Sequence, residues 1–122
     1  PEGQPKKLWS GLKEAFPPKA QQPDVAEIKS RFLTIMALET ARCFEEGVIA
    51  SPIDADIGSI LGIGYPAWTG GTLSYIDTLG PKAFVEDCQR LAATWGPRFA
   101  PSEWLVARAR KGELFYAPAQ AA

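Results

Sequence analysis

Residues 58–80 read GSILGIGYPAWTGGTLSYIDTLG, and six of the chain's eleven glycines fall within them. Two folds compete for this stretch. A dinucleotide-binding loop places G-x-G-x-x-G directly after a β-strand and at the opening of a helix, so that backbone N–H groups meet a pyrophosphate. That reading would make the chain α/β. Here Gly62 and Gly64 follow a helical pattern instead, and Ala67 stands where the third glycine belongs. No G-x-x-x-x-G-K-[ST] occurs either. The stretch therefore reads as helix, loop, helix. Gly62 ends the first helix and GIGYPAWTGG forms the loop. Thr72 caps a short helix with Leu73, Ile76 and Leu79 on one face, and Gly80 stops it.

The flanking sequence repeats this helical grammar. Asp24 and Glu27 form a D-x-x-E start after Pro23. Apolar residues recur at Val25, Ile28, Phe32, Ile35 and Met36, widened by Leu33, Ala37, Cys43 and Phe44, which predicts burial on more than one side. Gly47 is the expected stop, giving a helix of about 33 Å. Ser51-Pro52-Ile53-Asp54 begins another helix, with Ile53, Ile57, Ile60 and Leu61 on one face. Gly58 inside it costs about 1 kcal/mol relative to alanine, which suggests close helix packing. Pro81 opens a helix with Phe84, Val85, Cys88, Leu91, Ala92 and Trp95 as its stripe. Its exposed side offers a Glu86–Arg90 pair at i, i+4. Gly96-Pro97 breaks it. A last helix spans roughly Pro101 to Lys111, with basic residues at its negative end and Gly112 as its stop. Leu114, Phe115 and Tyr116 then pack on the body.

No segment alternates with period two, so the expected fold is all-α, with about five helices in a compact bundle. Residues 1–22, rich in proline and lysine, read as a linker or arm; 23–117 as the helical domain; 118–122 as a flexible tail. The opening PEGQPKK has the composition of a linker within a longer chain. Leu8, Trp9, Leu12 and Phe16 give the arm an amphipathic turn, suited either to a partner surface or to its own domain.

Composition narrows the function. The 122-residue chain is long enough for one core, and a net charge of −1 gives no basic field for nucleic acid. No apolar run could span a bilayer. The chain contains no histidine, so no Ser-His or Cys-His nucleophile pair and no His-containing zinc site can be built from it. Cys43 and Cys88, without a C-x-x-C, fit small core residues in a reducing compartment. Asp54 and Asp56 diverge by about 200° on a helix, too far apart to share a metal, and read as helix-start charges. Glu45-Glu46 reads as a solvated corner. Tyr65, Trp68 and Tyr75 around the glycine loop favour a surface approached closely by another domain over an enclosed pocket.

Three segments carry a family resemblance. ALETARCFEEGV (37–48), SPIDADIGSILGIGYPAWTGGTLSYIDTLG (51–80) and GPRFAPSEWLVARARKGELFY (96–116) resemble the C-terminal helical domain of 3-hydroxyacyl-CoA dehydrogenases. The pattern G-x-G-[FY]-P-x-x-x-G-G is its most specific part. The likeness is nearest to the last, second-copy helical domain of the multifunctional fatty-acid β-oxidation α-subunit. KKLWSGLKEAFPPKAQQPDV is similar to the linker before that domain. The resemblance implies a cytoplasmic parent enzyme that also hydrates enoyl-CoA. Its NAD and its catalytic His–Glu pair would sit on an upstream Rossmann region, and a thiolase subunit could join the complex. It implies no catalytic, cofactor or metal residue in this chain. The first-copy domain carries an Asn-Arg pair near substrate; here Ser30-Arg31 stands in its place, as fits a second copy that braces the first. The expected packing surface is the loop Gly64, Tyr65, Pro66, Trp68, Gly70, Gly71 and Tyr75, with Ile28, Phe32, Ile35 and Met36 on the long helix. Self-association of the chain alone would follow. The alternative is a stand-alone helical module for acyl-CoA.

Overall fold

Asp24 begins the longest helix as its sequence predicts: its carboxylate accepts the backbone N–H of Glu27 at 3.1 Å. This places the first fixed point of a computed structural model that describes residue 3 and residues 5–116. The expected tail, 118–122, lies outside the described residues. Six α-helices follow one another: α1 Leu12–Ala15, α2 Val25–Glu45, α3 Pro52–Ile63, α4 Thr72–Leu79, α5 Pro81–Trp95 and α6 Glu103–Lys111. Two single 3₁₀ turns, Ala67–Thr69 and Pro97–Phe99, join them. No strand occurs among the described residues. The described residues are all-helical, with six α-helices where the sequence predicts about five. The sixth is α1, a single turn where the arm was expected to form one, and it buries no side chain.

The bundle packs α2 against α4 and α5, α3 against α4, and α5 against α6. Its core is made by Leu38, Leu73, Ile76, Phe84, Cys88, Leu91 and Leu105, all essentially inaccessible. Each of the larger aliphatic and aromatic side chains contributes about 1.5–3 kcal/mol by leaving water. Cys88 is buried and Cys43 half-buried; neither forms a disulfide. Burial pushes the Cys88 thiol up to about 12. The same core continues to Phe115, against which Phe44 and Trp104 pack at centroid separations of 5.7–6.3 Å among the three rings. The Arg108 guanidinium lies 4.7 Å over the Phe115 ring and 4.9 Å over the Trp104 ring.

Several local expectations change on contact with tertiary structure. Helix α3 runs one residue beyond Gly62 and ends at Gly64, whose φ of 73° is the left-handed conformation of a glycine stop. Helix α6 starts at Glu103, because Ser102 accepts the Leu105 N–H as its cap. Gly58 is exposed, and nothing lies within 4 Å of where its Cβ would be, so close packing does not explain it. Arg90 does not pair with Glu86. It turns to Asp87 at 2.7 Å and to Glu27 on α2 at 3.1 Å. Trp95 Nε1 also donates to Glu27, and the Asp87 carboxylate accepts from Ser30 and Thr34. A tertiary network clasps α2 to α5 where local spacing predicts a surface pair.

The largest change concerns α3. Its apolar stripe faces outward: Ile53, Ile57 and Leu61 are 58%, 53% and 81% exposed. Its buried face is Ala55, Asp56 and Ser59. The usual polarity of an amphipathic helix is reversed in this chain.

Candidate functional site

The reason lies in the loop. Helix α4 begins without a side-chain cap of its own, so Thr72 is not the cap that the sequence predicts. Helix α3 supplies one instead. Asp56, 4% exposed, accepts the N–H of Leu73 at 2.7 Å and of Ser74 at 3.2 Å. Ser59 Oγ accepts the Thr72 N–H at 3.3 Å. These are the orphan donors of a helix start, and a carboxylate beside them also meets the positive end of the helix dipole. Asp56 further accepts from Ser74 Oγ at 2.6 Å and from the Tyr116 hydroxyl at 2.7 Å. It is thus a buried structural hub rather than a helix-start charge. Asp54 keeps that role, with its N–H on the Ser51 cap. The hub draws the polar face of α3 inward and leaves Ile53, Ile57 and Leu61 outside, with Ile60 half-buried.

Gly71 permits this approach. Its φ of 119° is strained for any side chain, and a Cβ there would overlap the Asp56 side chain. Thr69 Oγ1 accepts the Gly71 N–H and closes the loop on itself. Tyr65 is 2% exposed; its hydroxyl donates to the Leu33 carbonyl at 3.1 Å, and burial raises its pKa. Tyr75 stands edge-on to both Tyr65 and Phe84.

The eleven residues expected to form a packing surface therefore divide. Tyr65, Gly71 and most of Tyr75 serve the chain's own interior. Pro66 is half-buried, Gly64 and Gly70 are exposed, and Trp68 projects with 77% of its surface accessible. On α2, Phe32 is 65% exposed, while Ile28, Ile35 and Met36 are half-exposed. Two shallow depressions run along this helix and share Ile35. One, of about 330 Å³, lies between Pro23, Ile28, Arg31, Phe32, Ile35, Arg98 and Phe99. The other, of about 310 Å³, is lined by Ile35, Met36, Glu39, Thr40, Cys43, Ile49 and Ile63. The four α2 residues named from sequence are thus brought together on one surface.

What the sequence does not disclose is that the α3 stripe belongs outside. Large aliphatic residues at i, i+4 and i+8, here Ile53, Ile57 and Leu61, ordinarily mean core. The available signal is the opposite face, where Ala55, Asp56 and Ser59 are small or polar and the glycine loop follows within hydrogen-bonding reach. The arginines of the first depression, Arg31 and Arg98, are likewise found only in three dimensions.

Among the described residues, no group of three His, Cys, Asp or Glu side chains could hold a metal ion. No helix among them is long and apolar enough to cross a membrane. The titratable groups with displaced pKa values are tyrosines and a cysteine held up by burial, and the Glu27–Arg90 pair. Each has a structural cause, and none stands beside a nucleophile–base pair. The geometry offers surfaces for association. No protein-family model matches the chain.

Proposed function

We propose that this chain is a structural docking domain of a multifunctional fatty-acid β-oxidation enzyme, the second helical copy of its 3-hydroxyacyl-CoA dehydrogenase region. It braces the preceding helical domain and, through it, shapes the acyl-CoA cleft. The NAD site and the catalytic residues belong to other domains of that parent. The fold family rests on the sequence resemblance. The bracing role rests on a physical observation, the reversed polarity of α3. Ile53, Ile57 and Leu61 are held toward solvent by a buried carboxylate that ties the helix down from its polar side. Exposing a row of large aliphatic side chains is unfavourable unless another surface covers them.

Open depressions along α2 also suit a flat protein partner better than an enclosed acyl chain. The test adds the purified chain to a multifunctional β-oxidation α-subunit truncated before its last helical domain. Sedimentation velocity should show a one-to-one complex, and NADH formation by the truncated enzyme should rise. Absence of the complex, together with saturable calorimetric binding of a long-chain acyl-CoA to the chain alone, would instead establish the acyl-CoA-binding module.

A further inference from the structure

The first α2 depression carries charge as well as apolar surface. Ile28, Phe32, Ile35 and Phe99 form its apolar part, and Arg31 and Arg98 stand at its edge. Neither arginine makes an ion pair among the described residues. Arg31 is nevertheless held in place, with its guanidinium carbon 3.9 Å from the Trp95 ring centroid. Its Nε is buried without a hydrogen-bond partner. Glu27, whose carboxylate feels the Arg31 charge, is already engaged by Trp95 Nε1 and Arg90. At the second depression the only ionised edge residue, Glu39, is neutralised by Arg42. Glu27 and Asp87 together balance Arg90 and Arg31, and Asp24 beside Arg31 is balanced by Lys19, so the positive charge left over at this end of the apolar surface is that of Arg98.

We propose that this surface receives a segment of another domain that is apolar along its length and carries a carboxylate at one end. The carboxylate meets Arg31 and Arg98, and the apolar residues continue past Ile35 toward Met36 and Ile63. Planar guanidinium groups recognise carboxylates by paired hydrogen bonds, and charge complementarity fixes the register of an apolar contact that would otherwise slide. Two nearer occupants fit poorly. The chain's own arm, residues 1–22, has four lysines against two glutamates. A second copy docked groove to groove would set arginines against arginines. The inference rests on the docking function proposed above and names its partner's chemistry.

The test uses two fluorescein-labelled 16-residue amphipathic peptides with the same leucine stripe, one ending in two glutamates and the other in two lysines. Anisotropy titration of the full chain should show the glutamate peptide binding at least tenfold more tightly. The preference should shrink severalfold in Arg98→Gln and in Arg31→Gln, and vanish in 0.5 M salt. Equal binding of both peptides would overturn the electrostatic match while leaving an apolar docking face. Binding of neither would overturn this surface as the docking site, and the α3 face would remain open to its own test. Tighter peptide binding on removal of residues 1–20 would identify the arm as the occupant. Loss of peptide binding at high protein concentration would identify a second copy. Either result overturns the proposal.

Discussion

Asp56 shows how one residue can set the orientation of a helix. It is a buried carboxylate with no cation partner among the described residues, and four donors satisfy it. Replacing it with alanine leaves the Leu73 and Ser74 N–H groups without acceptors and removes the cap of α4. The expected cost is about 3 kcal/mol, read as a fall in Tm of roughly 10 °C by calorimetry. Gly71→Ala combines a forbidden φ with overlap on Asp56, and a loss of roughly 2–4 kcal/mol is expected in urea denaturation. An unchanged midpoint would mean that the loop does not need this approach. Tyr65→Phe removes only the donor to the Leu33 carbonyl, so about 1 kcal/mol is expected. The glycines at 64 and 71 announce a tight loop in the sequence. Asp56, which packs against Gly71 and lies seventeen residues before Leu73, does not, because capping across two helices leaves no fixed spacing to read.

At the level of elements, α2 and α5 are joined by the Glu27–Arg90–Asp87 network. The hydrogen bond from Trp95 and then that from Arg90 hold the Glu27 carboxyl below its ordinary value of 4.5. A lowered folded pKa stabilises the fold above the ordinary value, and that contribution is lost as pH falls through the lowered one. The difference in urea midpoint between the wild type and Glu27→Gln should therefore be present at pH 7 and shrink on acidification below about 4.5. A difference independent of pH would remove Glu27 from the network. Thiol chemistry provides a separate check on α5. Cys88 is buried, with its pKa raised to about 12, so a thiol reagent at pH 8 should titrate Cys43 promptly and Cys88 only on denaturation. The helices themselves were legible because proline, serine and glycine punctuation lies next to each of them. The one-turn α1 falls within the amphipathic turn that Leu8, Trp9, Leu12 and Phe16 announce, although its four residues bury no side chain. The Glu86–Arg90 expectation failed because local spacing cannot see Glu27 across the bundle.

For the whole molecule, the sequence supports an all-helical fold, and the structure adds which faces are left over. On α2 the apolar stripe of Ile28, Phe32, Ile35 and Met36 was legible as a stripe, but the spacing predicted burial on more than one side, whereas Phe32 is exposed and the other three are only half-buried. The outward turn of the α3 stripe was not legible, because an outward and an inward isoleucine look alike until Asp56 is placed. Together they leave apolar area that the described chain does not cover. If this area is a docking surface, sedimentation equilibrium over a range of concentrations reads it out. The mass should rise with concentration for the wild type and stay at that of a monomer, 13.2 kDa for the wild-type chain, in Ile57→Glu combined with Leu61→Glu, with unchanged helical circular dichroism. A wild-type chain that stays monomeric up to millimolar concentration, with no binding of a hydrophobic dye, would contradict it.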